Sequence, residues 1–275
     1  MKITDSKKSN DGAGVFLRFL YNTVPGRFVL RGLCSPSLSR AAGAFLDTPL
    51  SRPLIAPFLK KGNIDLSLYE KEDYKCFNDC FTRKIKAENR PFSAKNEDFC
   101  APCDGYLSAC RIKDGAVYPV KQSMFTLESL LGGDVLRERF RDGILLTFRL
   151  CVEHYHRYAF FDGGHVLSHK KIEGRLHTVR PIALEKYPVF CENSRECTFL
   201  KTDNFGTACY VEVGAMLVGK IANRQVEAFR RGEEKGMFLY GGSTVILLLE
   251  NDSACIREEF FDGMEHPVIM GQVLN

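Results

Sequence analysis

Nowhere in its 275 residues does the chain hold the roughly 18 uninterrupted apolar positions that a bilayer-spanning helix needs. The best candidate, Val15 to Leu30 ("VFLRFLYNTVPGRFVL"), is broken by Arg18, Pro25, Gly26 and Arg27. An arginine inside the would-be apolar core also makes this stretch a poor secretory signal. There is no internal repeat, no low-complexity tract, no disordered linker and no glycine-rich nucleotide loop. Cysteine is plentiful, at eleven, but the spacing that disulfides or zinc would impose is missing. Cys100-Ala-Pro-Cys103 is a lone CxxC, Cys76 and Cys80 form a wider pair, and no His-x-x-x-His accompanies them. Scattered thiols in odd number fit a reducing cytoplasm better than a disulfide scaffold. Neither a metal site nor a nucleic-acid partner is expected.

What is present is ordinary in bulk, with 45% hydrophobic and 26% charged residues, and lopsided in charge. Ten basic residues against three acidic ones give the first 62 residues a balance of +7, within a formal total of +4. An anionic surface met by the amino-terminal region follows from that asymmetry. The Val15–Leu30 pattern suits a helix lying in a membrane interface, apolar on one side with arginines at headgroup level. It equally suits an amphipathic helix packed on the body of the protein.

Pro25, Pro36, Pro49, Pro53 and Pro57 punctuate short apolar segments, which predicts a series of short helices up to about Ile85. Leu66, Tyr69, Tyr74, Phe77 and Phe81 follow at roughly helical intervals, with Asp65 and Ser67 as possible caps. After Arg90-Pro91 short apolar runs succeed one another between Gly, Asp and Asn: "GYLSAC", "AVYPV", "GILLTFRL", "YVEVGAMLVGKI", "STVILLLE". Only "TLESLLGG" and the segment to Phe140 look helical there. The expected fold is α+β: a helical region over 1–89, then a compact, mostly antiparallel β-domain over 90–275.

Three stretches carry chemistry. In "APCDGYL", Asp104 precedes a glycine, which alone reads as a turn. In "VEHYHRYAFFDGG", His154 and His156 follow a strand, and imidazole is the natural proton shuttle near neutral pH. In "GMFLYGGSTVILLLE", Gly241 and Gly242, poor strand residues, stand directly before Ser243 and an apolar run. A serine hydrolase built on Ser243, His156 and Asp104 is one reading, but Gly-Gly-Ser-Thr-Val lacks the second glycine of G-x-S-x-G.

Together these stretches resemble the phosphatidylserine decarboxylases, pyruvoyl-dependent enzymes of phospholipid synthesis. "FNDCFTRKIKAENRPF" is similar to that family's Phe-rich segment ending in Arg-Pro, "CDGYL" to its Asp-Gly motif and "YHRY" to its Tyr-His-Arg motif. "LHTVRPIALEKYPVFCENSRE" is similar to its Ser-Val-Asn-Pro stretch with the later Asn-Glu-Arg, and "VEVGAMLVGKI" and "KGMFLYGGSTVILLLE" to its two late strands. The resemblance implies that a base deprotonates Ser243, whose Oγ attacks the Gly242 carbonyl, and that elimination leaves a pyruvoyl group at 243. The products are chains 1–242 and 243–275, a heterodimer held by strand pairing, with a higher homo-oligomer left open. It further implies a Schiff base with phosphatidylserine, release of CO₂ and formation of phosphatidylethanolamine on the cytoplasmic side of the cell membrane, to which the enzyme binds peripherally.

Asp104, His156 and Ser243 are the residues it marks as catalytic, with no metal. One departure stands out: many members read Tyr-His-Arg-x-His, and here the last position is Ala159. That leaves His156, or else His154, to serve as the base. It also leaves room for an inert lipid-binding homologue, or for another serine-headed lipid or a soluble amino acid as substrate.

Overall fold

Prolines and small hydroxyl residues cut the amino-terminal stretch into short helices. Thr23 ends α1 (Val15–Asn22) and caps α2 (Val24–Leu33): its hydroxyl accepts from the Gly26 amide at 3.0 Å, and Pro25 sits in the first turn. Gly26 allows the two helices to meet, since a Cβ there would run into the Phe19 carbonyl. Ser35 caps α3 (Pro36–Leu46), and α4 (Ile55–Gly62) ends where Asn63 turns left-handed at φ 47°. The computed structural model describes residues 14–113, 118–120, 123–133, 135–184, 186–215, 220–241 and 243–275.

The helical spacing over 63–85 does not produce one helix. Tyr69 bridges Ile85, and the Glu70 amide donates to the Lys84 carbonyl at 2.8 Å, so the segment folds back on itself. What remains helical is a single 3-10 turn, Leu66–Leu68, and the five-residue α5 (Phe77–Phe81). The rings gather around a cation: the Arg83 guanidinium lies 4.8 Å from the Tyr69 ring centre and 5.6 Å from that of Phe58.

Strands then dominate: β1 (Gly105–Arg111), β2 (Tyr118–Val120), β3 (Ser123–Phe125), β4 (Ile144–Leu150), β5 (Arg157–Ala159), β6 (Gly164–Ile172), β7 (Arg195–Thr202), β8 (Thr207–Val213), β9 (Ile221–Asn223), β10 (Ala228–Phe229), β11 (Glu234–Phe238), β12 (Ser243–Leu249) and β13 (His266–Val268). Helix α6 (Leu127–Leu131) falls where "TLESLLGG" predicts it, closed by a capping box from Thr126 and Ser129. Two further helices, α7 (Pro181–Leu184) and α8 (Val189–Glu192), are four residues each and left no periodic trace in the sequence.

Eight strands form one sheet in the order β10-β6-β7-β8-β12-β4-β1-β13, every neighbouring pair antiparallel. A smaller antiparallel sheet runs β5-β11-β9, and β2 pairs with β3. The fold is thus α+β, as the composition of its segments suggests. β12 lies inside the large sheet, between β8 and β4, and all seven of its residues are buried. Ile246 and Leu248 enter one core with Leu20, Tyr21 and Leu30 of α1 and α2; Val245, Leu247 and Leu249 enter the other with Phe148, Tyr158 and Phe238. A strand buried on both faces must be apolar throughout, which explains the unbroken run Val245–Leu249. Each such side chain contributes roughly 1.5–3 kcal/mol, so the sheet grips this strand firmly.

Candidate active site

Ser243 opens β12 opposite Leu150 and is fully buried. Among the described residues its Oγ has no hydrogen-bond partner. A buried polar atom left unpaired costs about 1–3 kcal/mol, so this hydroxyl is held at a cost. Just before it, Gly241 takes φ 128°, a conformation that side chains rarely adopt. Gly242, expected to carry the scissile carbonyl, lies outside the described residues.

His156 precedes β5 and is also fully buried. Its Nδ1 lies 2.9 Å from the His154 carbonyl, which can only accept, so Nδ1 carries the proton and Nε2 presents a bare lone pair. Nε2 has no partner either. Burial above all, reinforced by the nearby Arg83 charge, pulls this imidazole down to about pKa 3, against the His154 and Gly241 main chains, which pull it up. His156 is therefore a neutral base at working pH. The Phe238 amide donates to the His156 carbonyl at 3.0 Å, which sets the residue beside the segment that leads toward Ser243.

Aromatic rings wall this region off from water. Phe81 of α5 lies 4.1 Å from the His156 ring, and Tyr240 packs on Phe77 at 4.9 Å and Phe81 at 5.3 Å. The Tyr240 amide donates to Asn78 Oδ1 at 3.4 Å, and Asn78 in turn donates to Asp47 Oδ1 at 2.8 Å. Helix α5 is thus a cover over Tyr240 and His156, which gives the Phe-rich "FNDCF" segment a physical purpose.

Arg83 was not anticipated. It donates to the Glu153 and His154 carbonyls at 3.1 and 3.2 Å, fixing the turn that aims His156. One oxygen, on His154, receives both the guanidinium and the His156 Nδ1 proton.

Asp104 stands apart from this pair. Arg90 grips it with two bonds, Nε to Oδ1 at 3.0 Å and Nη2 to Oδ2 at 2.8 Å, and the Met270 amide adds a third at 2.8 Å. Its hydrogen bonds reach neither histidine; its charge acts on His154, where it opposes a downward shift caused mainly by burial. His154 is itself tied locally, Nδ1 accepting from the Cys151 amide at 3.0 Å. Arg157 of the Tyr-His-Arg motif serves the scaffold, bonding both Glu234 oxygens and the Thr82 carbonyl. Ala159 is buried, and its amide donates to the Pro102 carbonyl at 2.9 Å, two residues before Asp104. Among the described residues no hydrogen bond joins Ser243 to His156: the two share burial and an unpartnered side-chain atom, while Asp104 is a clamp on the adjoining loop. The Arg90–Asp104 pair had a sequence signal, the Arg-Pro that ends the Phe-rich segment; Arg83 had only its place within that segment.

A family model described as phosphatidylserine decarboxylase matches residues 77–274, from the first residue of α5 almost to the end. The phosphatidylserine decarboxylase proenzyme 2 of Clostridium acetobutylicum is 41% identical over 261 residues, covering 93% of this chain and 90% of that relative. The phosphatidylserine decarboxylase proenzymes of Ruminiclostridium cellulolyticum and Clostridium tetani are 36% and 37% identical, covering 95% and 93% of this chain and 91% and 89% of themselves.

Proposed function

We propose that this chain, which belongs to the phosphatidylserine decarboxylase family, makes its own pyruvoyl group from Ser243. The protein is a carboxy-lyase that converts phosphatidylserine to phosphatidylethanolamine and is made as a proenzyme that cleaves itself. The residue assignments are the proposal. The observation that carries them is the pair of buried, unpartnered polar atoms, Ser243 Oγ and His156 Nε2.

His156 Nε2 takes the Ser243 hydroxyl proton, and Oγ attacks the Gly242 carbonyl carbon. The C–N bond breaks as the amine leaves, giving an ester between Gly242 and the side chain of Ser243. Loss of the Ser243 α-proton expels the Gly242 carboxylate, and one water then replaces the nitrogen, which departs as ammonia. A buried, unbonded hydroxyl that follows a left-handed glycine fits the formation of such a group here. Once formed, the pyruvoyl carbonyls supply the electron sink that decarboxylation needs. His156 also returns a proton to the carbon that loses CO₂, a role supported by the Nδ1 bond to His154 that leaves Nε2 as the working nitrogen. Asp104 acts at one remove: with Arg90 it secures the loop from Pro102, whose carbonyl holds β5 and so the histidine turn.

Residues 1–89 are read as a membrane-associating helical region and 90–275 as the catalytic domain, with Phe81 and Arg83 reaching from the first region to His156 and its turn. No helix among the described residues is long and apolar enough to cross a bilayer. Leu20, Tyr21 and Leu30 dock α1 and α2 on the core, while Phe16 and Phe28 stay 62% and 67% exposed on the other side. This divided surface supports peripheral binding, and eleven free thiols support the cytoplasmic face. Chains 1–242 and 243–275 remain together as a heterodimer.

Intact-mass measurement of the purified protein tests the central reading. A small chain of 33 residues blocked at its amino end is expected, and Ser243→Ala should stay one inactive chain of 31.1 kDa. An active wild type of 31.1 kDa with a free serine at 243 overturns it.

A further inference from the structure

The proposed base and nucleophile stand on different sheets. Ser243 opens β12 of the large sheet, while His156 leads directly into β5 of the small one. Strand β11 connects the two: it pairs with β5, the Phe238 amide at its end holds the His156 carbonyl, and the chain then runs on toward Ser243. How the small sheet sits on the large one therefore sets where the base stands relative to the nucleophile.

A buried ion pair crosses that boundary. Lys235 of β11 donates to Glu212 Oε1 of β8, and neither side chain is more than 2% exposed. Glu212 lies opposite Val245, two positions along β12 from Ser243 and, by the alternation of a strand, on the same face of the sheet. Strand β11 is irregular at this point. Its register against β5 slips between Glu234 and Gly236, an irregularity of the kind that re-aims a side chain, and Lys235 is the residue in the slip.

Asn223 of β9 completes the network. Its Oδ1 accepts from Lys235 Nζ at 3.1 Å and from the Tyr158 hydroxyl at 3.0 Å. Its Nδ2 donates to Glu196 Oε2 at 2.7 Å and to Glu212 Oε2 at 3.2 Å. Tyr158 belongs to β5, two residues after His156. Gly236 leaves room for this meeting, since a Cβ there would come within 2.7 Å of Asn223 Oδ1 and 2.9 Å of the Tyr158 hydroxyl. The Lys235 ammonium also lies 4.8 Å from the Tyr210 ring centre. All three strands of the small sheet are thereby bonded into one network that ends on two glutamates of the large sheet.

A buried ion pair is a poor source of stability, because well-packed apolar side chains of similar size often serve as well or better. What it adds is direction. Apolar packing among Tyr158, Phe238, Tyr210 and Val245 has no preferred geometry, whereas hydrogen bonds between fixed partners allow one register. We infer that Lys235 and Glu212 are positioning residues for self-cleavage: they lock the small sheet on the large one and so hold the histidine turn where breaking the Gly242–Ser243 bond needs it. This rests on the assignment of His156 and Ser243 made above. Neither Lys235 nor Glu212 takes part in the bond changes.

The test follows conversion of the full chain into 1–242 and 243–275 by electrophoresis, per folded molecule. Melting temperatures are taken in the Ser243→Ala background, so that every chain compared is uncut. Glu212→Leu/Lys235→Met removes the pair without leaving a lone buried charge, and its melting temperature should match or exceed that of the parent. It should nevertheless mature at least about tenfold more slowly, since a displacement of about 1 Å at a reacting centre can cost a factor of about a hundred. Glu212→Gln still offers a carbonyl oxygen to Lys235 and should mature within about threefold of wild type, a rescue that a role carried by charge would not show. If the apolar pair does not fold, Glu212→Asp carries the test: it keeps the charge, draws the acceptor back by one methylene, and should slow maturation at least about threefold. Wild-type maturation of the apolar pair, or of Glu212→Asp in its place, overturns the inference. So does a loss in Glu212→Gln as large as that of the apolar pair. A wild-type chain that is never cut sinks the Ser243 reading together with this one; a wild type that is cut while the apolar pair keeps pace sinks this one alone.

Discussion

At the scale of single residues the site is defined by what two atoms fail to touch. Because the buried His156 stays neutral down to about pH 3, its protonation cannot gate self-cleavage near neutrality. Maturation followed by electrophoresis should therefore run at a constant rate from pH 5.5 to 8, and an inflection near 6.5 would count against His156 as the base. Stability carries the opposite signature. An unfolded histidine takes up a proton near pH 6.5 while the folded one does not until about 3, so the contribution is complete above 6.5 and is lost as pH falls through that window. Urea midpoints of Ser243→Ala should decline over this range, and less steeply when His177, pulled down to about 4, is replaced by Phe. Arg83→Lys keeps the charge and loses the forked grip on two carbonyls, so maturation should slow by more than about tenfold with little change in melting temperature. Unchanged maturation would mean that the turn holds itself. Motif order marks Ser243 and His156 in the sequence, and the structure shows both buried with an unpartnered side-chain atom. Arg83 carries no such mark, since nothing in "FTRKI" says that its guanidinium will close on carbonyls seventy positions later.

At the scale of elements, β12 was easy to read and α5 was hard. An apolar run flanked by glycines announces a strand whatever its neighbours are. The stretch 63–85 shows helical spacing, yet its rings pack on Arg83, Tyr240 and His156, contacts that local periodicity does not encode. Phe81→Ala should cost about 3–5 kcal/mol as a buried ring is lost, and it should also admit water beside His156. The expected readout is a fall in self-cleavage larger than the fall in folded fraction, measured together at a temperature well below unfolding. Gly241→Ala tests the turn before Ser243: at φ 128° a side chain is strained, so cleavage should slow while the sheet persists by circular dichroism.

At the scale of the whole molecule, the sheet order β10-β6-β7-β8-β12-β4-β1-β13 could not be read from the sequence, because antiparallel neighbours far apart in the chain leave no local mark. The division of α1 and α2 between core and surface is not readable for a related reason: the same amphipathic pattern suits packing and membrane alike, and here one side packs on the core while Phe16 and Phe28 stay exposed for the proposed membrane contact. Replacing Phe16 and Phe28 together with Ser should reduce binding to phosphatidylserine-containing vesicles by more than about tenfold without altering maturation, because both side chains point away from the core. Vesicle flotation checks this, and full binding by the double variant would remove the helices from the interface.

The central place of β12 has a consequence for the life of the protein after the cut. While the chain is intact, β12 finds its slot between β8 and β4 as part of one polymer, at the high effective concentration a tether provides. After the proposed cleavage before Ser243 the same strand, with β13 beyond it, belongs to a separate molecule of 33 residues. Unfolding then scatters two partners, and recovery becomes a second-order encounter in which the vacated, apolar slot competes with its own aggregation. The precursor should renature from urea and the mature enzyme should not, except slowly and in proportion to the concentration of both pieces. Synthesis and processing thus run in one direction, and the durability of the working enzyme is a matter of how slowly it comes apart.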